Sequence, residues 1–373
     1  MIRFLTAGES HGKELVGILE GIPANIDIDM DFINNELKRR QKGYGRSERM
    51  DMEKDEMDII SGINNGKTTG NPISFKIKNK GYLEVLEKIY RPRPGHGDLS
   101  GAIKYHQDNV RNVLERASAR ETAARVGTGS ICKTLLKNLN IEIYSHVIQV
   151  GGIVSEKSIY EKGNIEDIKE ADKSIVRVVD SLAEEKIVEK IKSAKKKGDT
   201  LGGTIELIAV NIPVGLGSYV SWDSRLDGKI AQSIMSIPGI KAVEIGNGLE
   251  GGKSYGSQVH DEIYYEEKYF RKTNNAGGIE AGVSNGEDIV VRCTMKPIPT
   301  LRQPLNSVDM TTKLVSLAQV ERSDVLAVPS ASIVAESMLA YTLAQEIMRK
   351  FGGDSIEELK RNYFNYIDGV SSR

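Results

Sequence analysis

The motif Gly8-Glu9-Ser10-His11-Gly12 places a serine beside a histidine near the start of the chain. Its letters satisfy the G-x-S-x-G pattern of the hydrolase nucleophile elbow, in which the serine attacks an acyl carbon. Only seven residues precede Gly8, however, whereas the oxyanion-hole segment of such hydrolases comes before the nucleophile strand. Adjacent side chains also rarely reach the geometry of a serine–base pair. A serine hydrolase using Ser10 therefore remains only an alternative to a glycine-framed turn.

Arginines form the second chemical signal, because they cluster beside glycines and small residues. A guanidinium binds a carboxylate or phosphate through two parallel hydrogen bonds. A single arginine is more often a salt bridge to Glu or Asp, but several together indicate a small substrate with several negative charges. Nucleic acid is disfavoured, since the clusters lack interleaved aromatic residues and net positive charge. The arginines concerned are Arg39, Arg40, Arg46, Arg49, Arg91, Arg93, Arg116, Arg120 and Arg125.

Two further ionisable residues are candidates. His96 lies in "RPGHGD" without apolar periodicity around it, which makes a buried structural histidine less expected. Asp324 in "ERSDVLAVP" precedes an apolar run and, taken alone, reads as a turn or capping residue. The glycine-rich stretches over 61–68 and 246–254 lack the helix that a nucleotide-binding loop needs, so they are predicted to be turns.

Composition excludes several classes of protein. With 39% hydrophobic and 28% charged residues, the chain is predicted to fold rather than stay disordered. Its net charge of −1 favours neither nucleic acid nor an anionic membrane. Two cysteines, Cys132 and Cys293, disfavour a disulfide framework and suit the cytoplasm. No ligand spacing predicts a metal site, and no apolar run predicts a signal peptide or a membrane span.

The elements predicted from periodicity mix strands and helices throughout, which indicates an α+β fold in one domain over 1–373. Two strands flank the GESHG turn, and Asp29 is predicted to cap a helix that ends at Lys38-Arg39-Arg40. A long small-residue helix is predicted over 108–139. Residues 155–199 are predicted to be a charged, mostly helical surface segment, because acidic and basic residues balance there. Later strands alternate with helices near 225–236 and 332–350.

Nine pieces of the sequence, in this order, resemble the chorismate synthase family. The similarity runs from residue 3 to about residue 345, and nine motifs in sequence are far more specific than any one of them. They are "TAGESHG", "RRQKGYGR", "NGKTTGNPI", "RPRPGHGDL", "LERASARETAARV", "VEIGNG", "NNAGGIEAG", "KPIPT" and "RSDVLAVP".

The resemblance implies a β-α-β sandwich, with a helical layer between two antiparallel sheets, assembled as a homotetramer. It implies a 1,4-anti elimination of phosphate from 5-enolpyruvylshikimate 3-phosphate, giving chorismate in the last step of the shikimate pathway. The implied cofactor is reduced FMN, with NADPH or an external flavin reductase as the source of electrons. The substrate is a small anion, which agrees with the arginine clusters, and neither nucleic acid nor a membrane is an expected partner.

The resemblance also assigns roles to individual residues. His11 is implied to be the acid that protonates the leaving phosphate, with Ser10 as a proton-relay group. His96 is implied to protonate reduced flavin near N1, and Asp324 to help deprotonate N5. Arg40, Arg46 and Arg120 are implied to bind the substrate or the nicotinamide cofactor. The implied FMN contacts are Arg116, Ala117, Ser118, Pro238, Gly239, Ala281, Lys296, Pro297, Ile298, Pro299, Thr300 and Arg322.

Some positions depart from common family patterns. Gly97 stands where the family usually has the alanine of "HAD", Ala117 replaces a serine, and Ala281 stands where glycine is frequent. None of these changes removes an ionisable group that has an implied role.

Overall fold

The architecture is that of a computed structural model, which describes residues 1–46, 54–156, 160 and 165–371. Two antiparallel sheets carry most of its strands. The first has four strands in the order β1-β2-β6-β3, and the second has five in the order β10-β15-β9-β7-β8. The strands are β1 Arg3–Ala7, β2 Glu14–Glu20, β3 Met57–Ser61, β4 Ile63–Asn64, β5 Lys67–Thr68, β6 Ile73–Lys78, β7 Glu142–Val150, β8 Ile153–Val154, β9 Gly203–Val210, β10 Ile240–Ile245, β11 Ile263–Glu266, β12 Lys268–Arg271, β13 Ile279–Glu280, β14 Val283–Ser284, β15 Ile289–Met295, β16 Asn306–Val308 and β17 Val315–Leu317.

Helices lie between the two sheets and at the edges of the molecule. They are α1 Met30–Gln41, α2 Asp98–Lys104, α3 Arg111–Ala117, α4 Thr122–Lys137, α5 Ile165–Lys169, α6 Ser181–Lys196, α7 Leu226–Met235, α8 Gly248–Gly251, α9 Gly256–Val259, α10 Val328–Phe351 and α11 Ile356–Ser371. Short 3-10 turns cover Ala119–Glu121, Glu170–Lys173 and Trp222–Ser224. The predicted cap of α1 is confirmed, since the Asp29 side chain accepts from the backbone N–H of Asp31 and Phe32.

The central layer consists of α4 and α10. Helix α4 packs on β2 of the first sheet and helix α10 packs on β7 and β9 of the second. The two helices approach so closely that a Cβ added at Gly129 would lie 2.3 Å from Cβ of Ser337. Helix α10 is apolar or small on nearly all sides, as a helix buried between two layers must be. The predicted α+β sandwich is confirmed.

One hydrophobic core joins both sheets through this layer. It includes Leu15 and Phe75 from the first sheet, Val147 and Leu207 from the second, and Leu343 from α10. No helix within the described part of the chain is long and apolar enough to span a bilayer.

The single helix predicted over 108–139 is wrong, because the chain breaks at Ser118. Ser118 has an extended backbone (φ −65°, ψ 142°), and its side chain accepts a hydrogen bond from the backbone N–H of Arg120. Serine competes with helical hydrogen bonding in this way. The break separates α3 from α4, so Arg116 and Arg120 lie on different elements rather than on one helix face.

The charged segment over 155–199 is only partly at the surface. Residues 157–159 and 161–164 lie outside the described residues. Helix α6 exposes its lysines and glutamates but buries Ile187 and Ile191 against the core. Arg177 is also buried, where it bonds the Ser332 hydroxyl (2.8 Å). This segment therefore contributes both apolar and charged groups to the interior.

Candidate active site

The GESHG motif forms the turn between antiparallel strands β1 and β2. Gly8 has φ 108°, and a Cβ there would lie 2.5 Å from the carbonyl oxygen of Glu14, so the turn requires glycine at this position. Asn79 donates from Nδ2 to the carbonyl oxygens of Glu9 (3.0 Å) and Gly12 (2.8 Å). These bonds hold the turn in one conformation.

The position of Ser10 does not support the hydrolase alternative. A nucleophile elbow joins a strand to a helix, whereas Ser10 lies between two strands of a hairpin. The Ser10 backbone N–H donates to the carbonyl oxygen of Glu115 (3.0 Å), and its hydroxyl accepts from the Ser118 hydroxyl (3.3 Å). Ser10 is thus a buried hydroxyl within a hydrogen-bonded cluster.

His11 is fixed by a carboxylate that sequence reasoning missed. Its Nδ1 lies 2.9 Å and 3.1 Å from the two carboxylate oxygens of Glu115, and its backbone N–H donates to Glu115 Oε2 at 2.7 Å. Burial alone would raise the pKa of Glu115, but the hydrogen bonds from His11 outweigh burial and hold that pKa below its usual value. Glu115 therefore faces His11 as a carboxylate.

His96 has a carboxylate partner of its own. Its Nδ1 lies 2.5 Å from Oδ1 of Asp98, which is fully buried at the start of α2. Arg93 donates to the same carboxylate from Nε (2.8 Å) and Nη2 (3.1 Å). Its Nη1 donates to the Thr300 hydroxyl (2.7 Å). Burial opposes ionisation of Asp98, but the hydrogen bonds from His96 and Arg93 hold its pKa well below the usual range.

Asp324 and Arg46, both candidates from the sequence, form an ion pair. Their side chains approach to 3.0 Å between Nη1 and Oδ2 and are both largely buried. The loop that carries Arg46 is held by a bond from the Val325 N–H to the Gly45 carbonyl oxygen (2.8 Å). Among the described residues, Arg46 Nε is buried without a hydrogen-bond partner, so this guanidinium retains an unsatisfied donor.

Arg40 and Arg120 lie side by side because both contact Asp55. Arg40 Nη1 is 3.3 Å and Arg120 Nη1 is 2.8 Å from this buried carboxylate. Arg40 also donates to the Thr122 hydroxyl (3.1 Å), and Arg120 donates to Asn79 Oδ1 (2.7 Å). The two arginines are therefore held in place by protein groups next to the turn that carries His11.

Most of the predicted cofactor residues are brought to the loops around α3. Arg116 donates to the carbonyl oxygens of Thr6 (2.8 Å) and Gly8 (3.1 Å), which ties α3 to the GESHG turn. The Lys296 backbone N–H donates to the Gly239 carbonyl oxygen (2.9 Å), and its Nζ donates to the carbonyl oxygen of Gly95 beside His96. The segment 116–118 thus adjoins the turn that carries His11, the segment 296–300 adjoins the loop that carries His96, and 238–239 contacts Lys296.

Two predicted cofactor residues, Ala281 and Arg322, do not belong to the segments just described. Gly282, next to Ala281, accepts from the Leu226 N–H at the start of α7, whereas Pro238 follows the end of that helix. The two residues therefore adjoin opposite ends of α7, which has ten residues. Arg322 is exposed and lies between Glu321 and Asp324, both of which pair with site arginines.

Helix α3 contacts each of the chain segments that carry His11, His96 and Asp324. Glu115 holds His11, and a Cβ added at Gly97, beside His96, would lie 3.7 Å from Cβ of Ala117. Arg111 donates to Glu321 (3.0 Å), which brings the Asp324 segment to the same helix. The structure therefore gathers the histidines and Asp324 from three distant parts of the chain around one short helix.

Three carboxylates at the site, Asp98, Glu115 and Asp55, were not predicted from the sequence. Each accepts hydrogen bonds from a histidine or an arginine that was predicted. Asp98 follows His96 by two positions, so the "HGD" letters offered a local signal for it. Glu115 lies 104 positions from His11, and Asp55 lies 65 positions from Arg120, so no local pattern could have linked them. Within the described ranges, no group of three or more His, Cys, Asp or Glu side chains is arranged to hold a metal ion.

Comparison with known proteins identifies one family. The chorismate synthase family matches residues 2–348. Chorismate synthases of Alkaliphilus metalliredigens and Caldanaerobacter subterraneus are each 52% identical to this chain. The first alignment covers 98% of this chain and 99% of the relative, and the second covers 100% of both. A solved structure titled "Crystal Structure of Chorismate Synthase" superposes with a TM-score of 0.84 at 44% identity, covering 100% of this chain and 99% of that one.

Proposed function

This chain belongs to the chorismate synthase family and has that family's activity, and we propose that the residues around α3 carry out the reaction. The reaction is the 1,4-anti elimination of phosphate from 5-enolpyruvylshikimate 3-phosphate, a carbon–oxygen lyase reaction that gives chorismate. The observation that carries the proposal is that two histidines, each bonded to a buried carboxylate, lie on loops that contact the same short helix α3.

Arginines supply the binding of the anionic substrate. The substrate carries one phosphate and two carboxylates, and guanidinium groups bind both by charge-assisted hydrogen bonds. Arg46 supports this role, because its buried Nε has no acceptor among the described residues, and such a donor is costly unless a ligand accepts from it. Arg40 and Arg120 are held by Asp55 and need no reorientation to present positive charge.

His11 supplies the proton for the leaving phosphate. A phosphate departs more easily when protonated, and an acid positioned for transfer accelerates such a step by about 10²–10⁴-fold. The GESHG turn is held on both sides, which keeps the His11 ring in place during the reaction. Ser10, whose hydroxyl accepts from the Ser118 hydroxyl, is the proton-relay group beside His11.

The residues present fit reduced FMN. Cationic groups at Arg116 and Lys296 suit its phosphate, and the Pro-Ile-Pro run over 297–299 offers an apolar surface to a flat ring. Thr300 reaches Arg93 and therefore links this surface to His96. When bound, reduced FMN supplies electron density to the substrate and regains it, which makes the reaction redox-neutral. With that cofactor in place, His96 would hold a proton beside it, and Asp324 would be the carboxylate that accepts one.

The remaining proposals concern partners. We expect a homotetramer in the cytoplasm, where the two buried, unpaired cysteines stay reduced. An exposed apolar patch at Tyr219, Val220 and Trp222 supports self-association. The electrons come from NADPH or from an external flavin reductase. Phosphate release with photoreduced FMN under anaerobic conditions, compared with NADPH plus FMN in air, distinguishes these sources.

The test of the catalytic assignment is phosphate release under photoreduced FMN. His11→Ala is expected to lower kcat by about 10²-fold or more, because the general acid is lost. Ser10→Ala is expected to lower kcat as well, and a serine-directed phosphonate to leave the wild-type rate unchanged.

His260→Ala is the matched control, since His260 is exposed and has no proposed role in the reaction. It should keep the wild-type rate. If His11→Ala and Ser10→Ala both retained full activity, the site assignment would be wrong. If wild-type protein released phosphate without any reduced flavin, the cofactor proposal would be wrong.

A further inference from the structure

Each of the two site histidines has a buried carboxylate at the same ring nitrogen. Glu115 lies 2.9 Å from Nδ1 of His11, and Asp98 lies 2.5 Å from Nδ1 of His96. An ionised carboxylate only accepts hydrogen bonds, so the ring nitrogen that faces it must carry the hydrogen. The arrangement therefore selects one tautomer of each neutral imidazole.

His11 is the main hydrogen-bond partner of the Glu115 carboxylate. Both of its oxygens approach Nδ1, and one also accepts the His11 backbone N–H. The cation that faces it, Arg111, lies at 3.5 Å and has a closer partner in Glu321 at 3.0 Å. Arg111 therefore competes weakly with His11 for this carboxylate.

Asp98 is shared between His96 and an arginine. Its Oδ2 accepts from the backbone N–H (3.0 Å) and Nε (2.8 Å) of Arg93, and its Oδ1 accepts from Arg93 Nη2 (3.1 Å) as well as from His96. The bidentate Arg93 keeps Asp98 ionised and fixes its plane, which in turn fixes the plane of the imidazole.

A third histidine–carboxylate pair shows that contact through Nδ1 is not general in this protein. His146 and Glu206 are both fully buried on neighbouring strands of the second sheet, and there the contact is made by Nε2, at 2.9 Å. Its Nδ1 is buried without a hydrogen-bond partner among the described residues. The same side-chain pair thus selects the opposite tautomer away from the site.

We propose that Glu115 and Asp98 are positioning residues that keep Nδ1 of His11 and His96 protonated, so that Nε2 of each ring exchanges protons with the reactants. This inference rests on the proposed function for the roles of the histidines, but the tautomers themselves belong to the folded protein. A hydrogen-bonded second partner of this kind typically sets the orientation and the tautomer of a functional histidine.

The test uses the full-length protein labelled with ¹⁵N in histidine rings, studied by magic-angle-spinning NMR. In wild-type protein, neutral His11 and His96 should show Nδ1–H shifts and His146 should show Nε2–H. Glu115→Gln keeps the shape and an acceptor oxygen but removes the charge. It should shift the His11 signal toward a mixture of tautomers and lower kcat by at least ~10-fold, with little change in KM.

Two variants serve as controls. Glu206→Gln should change the His146 signal alone and leave kcat unchanged, because that pair lies in the second sheet. Asp98→Asn repeats the test on His96, so the inference remains testable even if Glu115→Gln fails to fold.

The outcomes separate the two proposals. Wild-type protein that forms no chorismate would contradict the proposed function, whatever the tautomers are. Active wild-type protein whose His11 tautomer or kcat is unaffected by Glu115→Gln, and whose His96 is likewise unaffected by Asp98→Asn, would overturn the positioning roles alone.

Discussion

His11 acquires its geometry from Glu115, and His96 acquires its geometry from Asp98. Without its carboxylate, each histidine would have neither a fixed tautomer nor a fixed ring orientation, because a free imidazole exchanges tautomers and rotates. The hydrolase interpretation fails on the backbone instead, because Ser10 lies in the turn between two antiparallel strands and not at the strand-to-helix junction of a nucleophile elbow.

Ala281 is a residue whose backbone conformation is unusual for its type. It has φ 50°, in the left-handed region, where an L-residue costs about 1–2 kcal/mol. Ala281→Gly removes that cost, but glycine also raises the conformational entropy of the unfolded chain, which lowers the free energy of unfolding by about 0.4–1 kcal/mol. We expect a net gain of about 0.5–1 kcal/mol in the free energy of unfolding, measured by urea denaturation.

Gly152→Ala is the matched reverse change. Gly152 has φ 88°, and a Cβ there would contact nothing within 4 Å, so only backbone strain opposes the methyl group. This variant should lose about 1 kcal/mol. A loss on Ala281→Gly would show that the alanine methyl group stabilises the turn by contacts rather than straining it.

At the scale of elements, a buried charge network joins α1, α4 and α10. Glu336 on α10 is fully buried and contacts Lys133 Nζ at 2.5 Å, Arg39 Nη1 at 2.9 Å and the Ser145 hydroxyl at 2.5 Å. Burial opposes its ionisation, but the surrounding cations hold its pKa well below the usual range. Three helices and strand β7 thus meet at one carboxylate.

Glu336→Gln should be strongly destabilising. Removing one partner of a buried ion pair leaves unbalanced charge and costs about 3–5 kcal/mol. Because the folded pKa of Glu336 is depressed, its contribution is complete above the unfolded value of about 4.3 and is lost as pH falls below it. The stability gap between wild type and variant, measured by urea denaturation, should therefore be full at pH 7 and narrow below pH ~4.

Glu189→Gln is the control for charge removal alone. Glu189 pairs with Lys192 one turn away on α6, and its side chain is 71% exposed, so its loss should not measurably move the denaturation midpoint. An equal effect of both substitutions at pH 7 would contradict the role given to the buried network.

At the scale of the whole molecule, one exposed patch is suited to report assembly. Trp222 is the only tryptophan and is 85% exposed, beside Tyr219 and Val220. If the proposed homotetramer covers this patch, Trp222 emission should shift to shorter wavelength as protein concentration rises. The shift should follow the tetramer fraction measured by sedimentation velocity.

The control is Trp222→Phe, which should abolish the emission change while sedimentation is still measured. Assembly without any shift in Trp222 emission would place the subunit interface elsewhere. A monomer at all concentrations would contradict the homotetramer itself.

Much of the fold could be predicted from local pattern. The strands on both sides of GESHG, the Asp29-capped helix and the apolar runs of β9 and β15 follow from periodicity and capping chemistry, which act over a few residues. The break at Ser118 was missed because the residues on either side fit one helical pattern. It is decided by the hydrogen bond that the Ser118 side chain accepts from the Arg120 N–H and by the one that its hydroxyl donates to Ser10.

For the site, the residue types capable of the proposed chemistry can be identified from the sequence alone. The glycines of the turn, the two histidines and the arginine clusters are visible in the letters, and their order along the chain identifies the family. The partners of these residues depend on the tertiary structure. Glu115 and Asp55 become partners of His11 and Arg120 through packing across about 65–104 positions, which no spacing rule encodes. Hydrogen bonds and ion pairs act over about 3 Å in space, and chain separation places no limit on them.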